Sequence, residues 1–169
     1  PTPAPPNRPT LLPLGIGASI RADDSQIPIK VGAIFSVSSW AAVGGQAELN
    51  ATQLAVEDVN AQGGILGRKL EVVYEDNQSD LPATVSAFNK LVNSDKVVAL
   101  LGPNWAEFCE VAAPIAEQKK IPMLTASGFS WTLTKNRRFV FTGIPNFNIQ
   151  VEPLVRYIAA RKYKKLVIL

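Results

Sequence analysis

Acid-base and nucleophilic chemistry near neutral pH most often draws on histidine, and this sequence contains none. Its single cysteine, Cys109, falls inside a helical pattern with no histidine to activate it, so it reads as a buried structural thiol. Glu107 and Glu110 fall on the first turns of the same helix, where the helix dipole favours carboxylates whatever their role. Asp76 and Asp80 follow an apolar strand, the place of a ribose-binding acid in dinucleotide folds. The glycine fingerprint of such a fold is missing, so they read as loop carboxylates, one of them a helix cap. There is no Gly-x-Ser-x-Gly elbow and no phosphate loop ending in Gly-Lys-Ser/Thr. One cysteine and no histidine make neither a disulfide within the chain nor a Cys/His metal centre. The expectation is a protein without catalytic residues, metal or cofactor.

The residues that invite a function are instead the tryptophans. The chain has 3, at positions 40, 105 and 131, and each falls in a turn just after an apolar, β-rich run. Tryptophan is costly to expose, so three on one rim point to an aromatic-lined cavity that takes a small molecule.

The elements that must position them follow from periodicity. Strands are predicted at 29–35, 70–74, 96–102, 121–125, 138–144 and 164–169. Helices are predicted at 47–60, 83–93, 106–119 and 148–161, with Gly63-Gly64 ending the first. Alternation at this spacing predicts an α/β fold, a doubly wound parallel sheet flanked by helices. Ligands bind such sheets beyond the carboxyl ends of the strands. The candidate loops are therefore 36–45, 102–107 and 125–131.

Composition narrows the class. At 47% hydrophobic and 18% charged, the chain is globular in character. A net charge of +3, spread along the sequence, lacks the concentrated basic stripe of a nucleic-acid binder. No apolar run approaches the ~20 residues of a membrane span. Residues 1–28 are proline-rich at first, then apolar at 11–19, with acidic residues after Ala22. They read either as a disordered leader or as a signal-peptide remnant cleaved after Ala22.

Four stretches carry a resemblance: "IKVGAIFSVSSW…GG", "LAVEDVNAQGGILGRKLEVVYEDNQSD", "KLVNSDKVVALLGP" and "APIAEQKKIPMLTAS". Together they resemble the first lobe of type I periplasmic binding proteins, in the leucine/isoleucine/valine-binding group of ABC-transporter receptors. "NAQGGILGRKLE" is the most specific of them. The resemblance implies a two-lobe flytrap closing on a small-molecule ligand, in the periplasm or outside the cell. It implies ABC-transporter membrane subunits as partners, and a monomer when full length. On that reading 29–146 is the first lobe, and 147–169 is a crossover helix plus the first strand of an absent second lobe. A membrane-receptor ectodomain built on the same lobe is the alternative, and an α/β enzyme is a more distant one.

The resemblance also implies where the ligand sits. In the family, hydroxyls and backbone amides after the third and fourth strands hold an amino acid's carboxylate. The first loop pattern, Gly-Pro-x-x-Ser, here reads Gly102-Pro103-Asn104-Trp105-Ala106, with alanine at the serine position. The second loop pattern, Pro-x-x-Ser-x-Ser-Ala-Thr, here runs from Pro122 through Thr125, Ser127 and Gly128 to Phe129; a small residue survives as Gly128, but Phe129 stands at the threonine position. Ser38, Ser39 and Trp40 complete the candidate site on the first loop. A hydrogen bond to a charged group contributes about 1.5 to 3 kcal/mol, so two missing hydroxyls weaken carboxylate binding by roughly two to four orders of magnitude unless Asn104, Ser127, Ser130 or backbone amides substitute for them. The expected ligand is therefore bulkier or more apolar than a simple zwitterionic amino acid, aromatic or quaternary ammonium in character.

Overall fold

The computed structural model describes residues 27–126, 132–145 and 147–167. The described residues form five strands and four α-helices. They are β1 (Ile29–Phe35), α1 (Ala42–Ala61), β2 (Leu70–Asp76), α2 (Leu81–Asn93) and β3 (Ala99–Leu101). There follow α3 (Ala106–Lys119), β4 (Met123–Thr125), β5 (Val140–Thr142) and α4 (Phe147–Arg161). All strands pair in parallel, in the order β2-β1-β3-β4-β5. The α/β doubly wound sheet expected from periodicity is therefore the observed fold.

The strand order follows from two opposite moves. The chain goes from β1 outward to β2, then returns past β1 to build β3, β4 and β5 on the other side. Right-handed crossovers in opposite directions place their helices on opposite faces. α2 and α3 pack against each other and on one face, burying Phe88, Leu91, Ala112, Ala113 and Ala116 with Ile34, Leu100, Met123 and Val140. α1 covers the other face over β1 and β2 only. On that face Leu124 and Phe141 are 46% and 51% exposed, because no helix among the described residues lies over β4 and β5.

Local signals set the helix ends. Asp80 caps α2, its Oδ1 accepting the Ala83 N–H at 2.8 Å. This settles the role of the second loop carboxylate. Gly63 and Gly64 take φ of +96° and +76°, and their N–H groups close the last turn of α1 on Asn60 and Val59.

Two elements differ from expectation. α1 begins at Ala42, five residues before the predicted start, because Gly44 and Gly45 lie inside the helix, where Gly45 lets it approach Ser36 just after β1. The strand predicted at 164–169 does not form over its described part. Residues 164–167 pair with nothing in the sheet, and Leu166 and Val167 are exposed. An apolar β-rich run becomes a strand only beside a partner strand, and none is offered there. Residues 168 and 169 lie outside the described residues, as do 1–26 of the leader.

Candidate functional site

An open parallel sheet has one crevice dictated by topology, where the strand order reverses. Here the reversal lies between β1 and β3. The turns leaving these two strands carry Trp40 and Trp105, and the structure brings the two rings together, with centroids 4.9 Å apart and planes inclined by 60°. Trp40 also lies 6.2 Å from the ring of Phe108, which is buried in α3. A tilted arrangement at this separation is favourable for aromatic pairs. The rings remain 59% and 38% exposed, so the rim holds a large apolar surface in contact with solvent.

The β1 turn is held from beneath by β2. Asp76 Oδ1 accepts the N–H of Val37 at 3.1 Å and of Gln78 at 2.8 Å. Burial alone pushes this carboxyl up. The Ser38 hydroxyl and the N–H groups of Gln78, Val37 and Ser38 outweigh burial and hold it below its ordinary value. Ser79 Oγ donates to the Ser38 carbonyl at 3.0 Å and accepts the Ala41 N–H at 3.3 Å. Asp76 is therefore a brace for the loop. Ser38 is half-buried in this brace, while Ser39 is exposed and takes φ of +66° at the start of a 3-10 turn.

The β3 turn is held by close approach. Gly102 has φ of +78°, and a Cβ there would sit 2.3 Å from the Ile34 carbonyl oxygen. After Pro103, the half-buried Asn104 leads to Trp105, the N-cap residue of α3. Most helices place an oxygen-bearing side chain there. Trp105 makes no side-chain cap bond, and the first backbone bond of the helix is Cys109 N–H to the Trp105 carbonyl at 2.9 Å. The N–H groups of the first turn, beginning at the half-buried Ala106, face the rim with the positive end of the helix dipole.

Thr125, expected at the site, lines a concavity on the α1 side of the sheet and also has a structural role. It is buried, and its hydroxyl donates to the Pro103 carbonyl beside Cys109 Sγ, 3.2 Å away. It ties the β3 and β4 turns together beneath the rim. Ser127, Gly128, Phe129 and Trp131 lie outside the described residues.

That concavity, of about 240 Å³ beside the rim, has no tryptophan in its wall among the described residues. It lies on the α1 side of the sheet among Phe35, Glu48, Thr52, Leu101, Leu124 and Gly143. The aromatic-lined cavity expected from sequence is thus, in the described residues, an aromatic rim beside an apolar groove. Trp40 packs on Trp105 and on Phe108.

Glu48 in this groove was not singled out by sequence. Burial pushes its carboxyl up to about 7, and its Oε2 has no hydrogen-bond partner among the described residues. A carboxyl raised in the folded state binds more protons than in the unfolded chain between about pH 4.5 and 7. Stability therefore falls as pH rises through that window and levels above it. The group is only half-buried, so after allowance for solvent screening the effect is about 1 kcal/mol. Urea midpoints at about pH 5 and pH 8 should differ accordingly, and Glu48→Gln should remove most of the difference.

Among the described residues there is no cluster of metal-ligating side chains, and no helix long and apolar enough to cross a membrane.

A family model described as "Periplasmic binding protein" matches residues 28–169. The Leu/Ile/Val-binding protein of Escherichia coli (strain K12) is 34% identical over 106 residues, which is 63% of this chain and 29% of that protein. Among solved structures, the branched-chain amino acid transporter substrate binding protein LivJ from Streptococcus pneumoniae, in complex with isoleucine, is 35% identical with a TM-score of 0.68. That match covers 70% of this chain and 34% of LivJ. A solute binding protein of an ABC transporter from Rhodopseudomonas palustris BisB5, in complex with 3,4-dihydroxy benzoic acid, is 25% identical with a TM-score of 0.61. It covers 68% of this chain, which spans 32% of that protein. The chain thus spans about a third of the length of these relatives.

Proposed function

Because this chain belongs to the periplasmic binding protein family, we propose that it forms the first lobe of an extracytoplasmic receptor delivering a small solute to an ABC importer. Residues 29–146 supply one wall of the cleft, and α4 is the crossover toward a second lobe. The ligand binds between the lobes, and their closure signals occupancy to the transporter's membrane subunits. Binding is the whole of the task, without catalysis or cofactor.

The ligand we propose is an aromatic or bulky apolar acid. The observation that carries this is the rim at the β1/β3 switch point. There Trp40 and Trp105 form a tilted pair, and Ala106 stands where the pattern implied by the resemblance has serine. The uncapped first turn of α3 still offers backbone N–H groups to an anion. The rings favour a flat apolar body, and the missing hydroxyl weakens the grip on a zwitterion. The relative bound to 3,4-dihydroxybenzoic acid supports such a ligand on this scaffold, and the one bound to isoleucine supports the rival. Calorimetric titration of the full-length protein with benzoate-type acids and with branched-chain amino acids separates the two.

A further inference from the structure

We propose that Ser36, Asn77 and Thr84 form a one-way hydrogen-bond chain that fixes the Asn104 amide on the rim, making them positioning residues for ligand selection. The inference rests on the ligand-binding reading of that rim.

The polarity of the chain is set at its far end. The Asp80 carbonyl can only accept, so Thr84 Oγ1 donates to it at 2.7 Å. Thr84 Oγ1 in turn accepts Asn77 Nδ2 at 2.9 Å. A backbone donor fixes the Asn77 amide, since the Ser79 N–H reaches Asn77 Oδ1 at 3.2 Å. The same oxygen takes the Ser36 hydroxyl proton at 2.7 Å. Ser36, Asn77 and Thr84 are fully buried, so water does not compete for these bonds.

Ser36 then has no proton left. Its Oγ lies 3.4 Å from the Asn104 amide oxygen, so one proton would face two acceptors. A half-turn of the amide resolves the conflict. Asn104 then donates its NH₂ to Ser36 and turns its oxygen toward Gly44, in the first turn of α1. A Cβ on Gly44 would lie only 3.7 Å from that end of the amide. The rim thereby gains a fixed acceptor two residues before the first N–H donor of α3. A ligand carrying a hydroxyl or ammonium donor gains a partner at this point, and one without a donor does not.

The test uses the full-length protein with two probes that differ in donors, 3,4-dihydroxybenzoate and benzoate. Ser36→Ala should reduce the preference for the dihydroxy acid by about three- to tenfold, the scale of one neutral hydrogen bond. In an Asn104→Ala background it should change nothing further. An equal loss in both backgrounds, or for both probes, would overturn the inference. If neither probe binds, the ligand reading fails instead. The Asn104 side-chain amide resonance in nitrogen-15 spectra then decides the positioning alone. It should shift on Ser36→Ala, and an unmoved resonance would contradict the chain.

Discussion

In the full-length protein, Trp105→Ala should weaken ligand binding by roughly ten- to a hundredfold while leaving the fold intact. Two contributions add. On the proposed reading the indole supplies apolar contact area to the ligand, and it holds Trp40 in a tilted pair worth about 0.5 to 1.5 kcal/mol. Truncation also frees Trp40, already 59% exposed, to leave the rim. Stability should change little. Trp105 makes no capping bond to α3, and more than a third of it faces solvent before any ligand arrives. Trp105→Phe should recover most of the affinity, since a smaller ring keeps the pair. Titration calorimetry and a melting curve on each variant suffice. Unchanged affinity for Trp105→Ala would mean that the two rings pack only on each other.

The largest loss of stability should come from a single methyl group at Gly45. This residue is buried in α1 where the helix touches the end of β1, and a Cβ there would sit 2.1 Å from the Ser36 carbonyl oxygen and 2.4 Å from its carbon. Both are backbone atoms of the segment that launches the ligand loop. Neither can rotate away, so Gly45→Ala must lift α1 from the sheet. A cost of about 3 kcal/mol is expected, at the upper end for overpacking. Gly32 makes the informative comparison. Its added Cβ would meet Leu100 Cδ2 at 2.7 Å and Leu91 Cδ1 at 3.0 Å, both tips of side chains that can shift. Gly32→Ala should therefore cost clearly less. Urea midpoints of the two variants check the order, and equal losses would show that backbone contact at Gly45 is not what limits the packing.

Much of the framework is legible in the sequence because it rests on local signals. α3 begins and ends where the pattern predicts, since Gly102-Pro103 breaks the strand before it and the apolar spacing runs to Lys119. The alternation of strand and helix gives the parallel sheet. The early start of α1 is not legible, because Gly44-Gly45 reads locally as a turn and only contact with Ser36 explains it as helix. The strand expected at the end of the chain shows the same limit, since pairing depends on a neighbour that composition does not reveal.

The site divides in the same way. Tryptophans after apolar strands mark a rim, but only the strand order places β1 beside β3 and so Trp40 against Trp105. Thr125 has the residue type expected of a ligand contact. Its burial and its bond to the Pro103 carbonyl come from the packing of two turns that lie 22 residues apart. Ser36 and Asn77 pair across 41 residues, beyond the reach of any periodicity. A polar residue ending an apolar strand, as Ser36 does, was the available clue.

The central claim is that this rim selects an aromatic or bulky apolar acid over an aliphatic zwitterion. Calorimetric titration of the full-length protein with 3,4-dihydroxybenzoate and with leucine tests it most directly. The account predicts that the aromatic acid binds at least about a hundredfold more tightly, the lower bound for two lost hydroxyl contacts. Leucine binding as tightly as the aromatic acid, or more so, would contradict it.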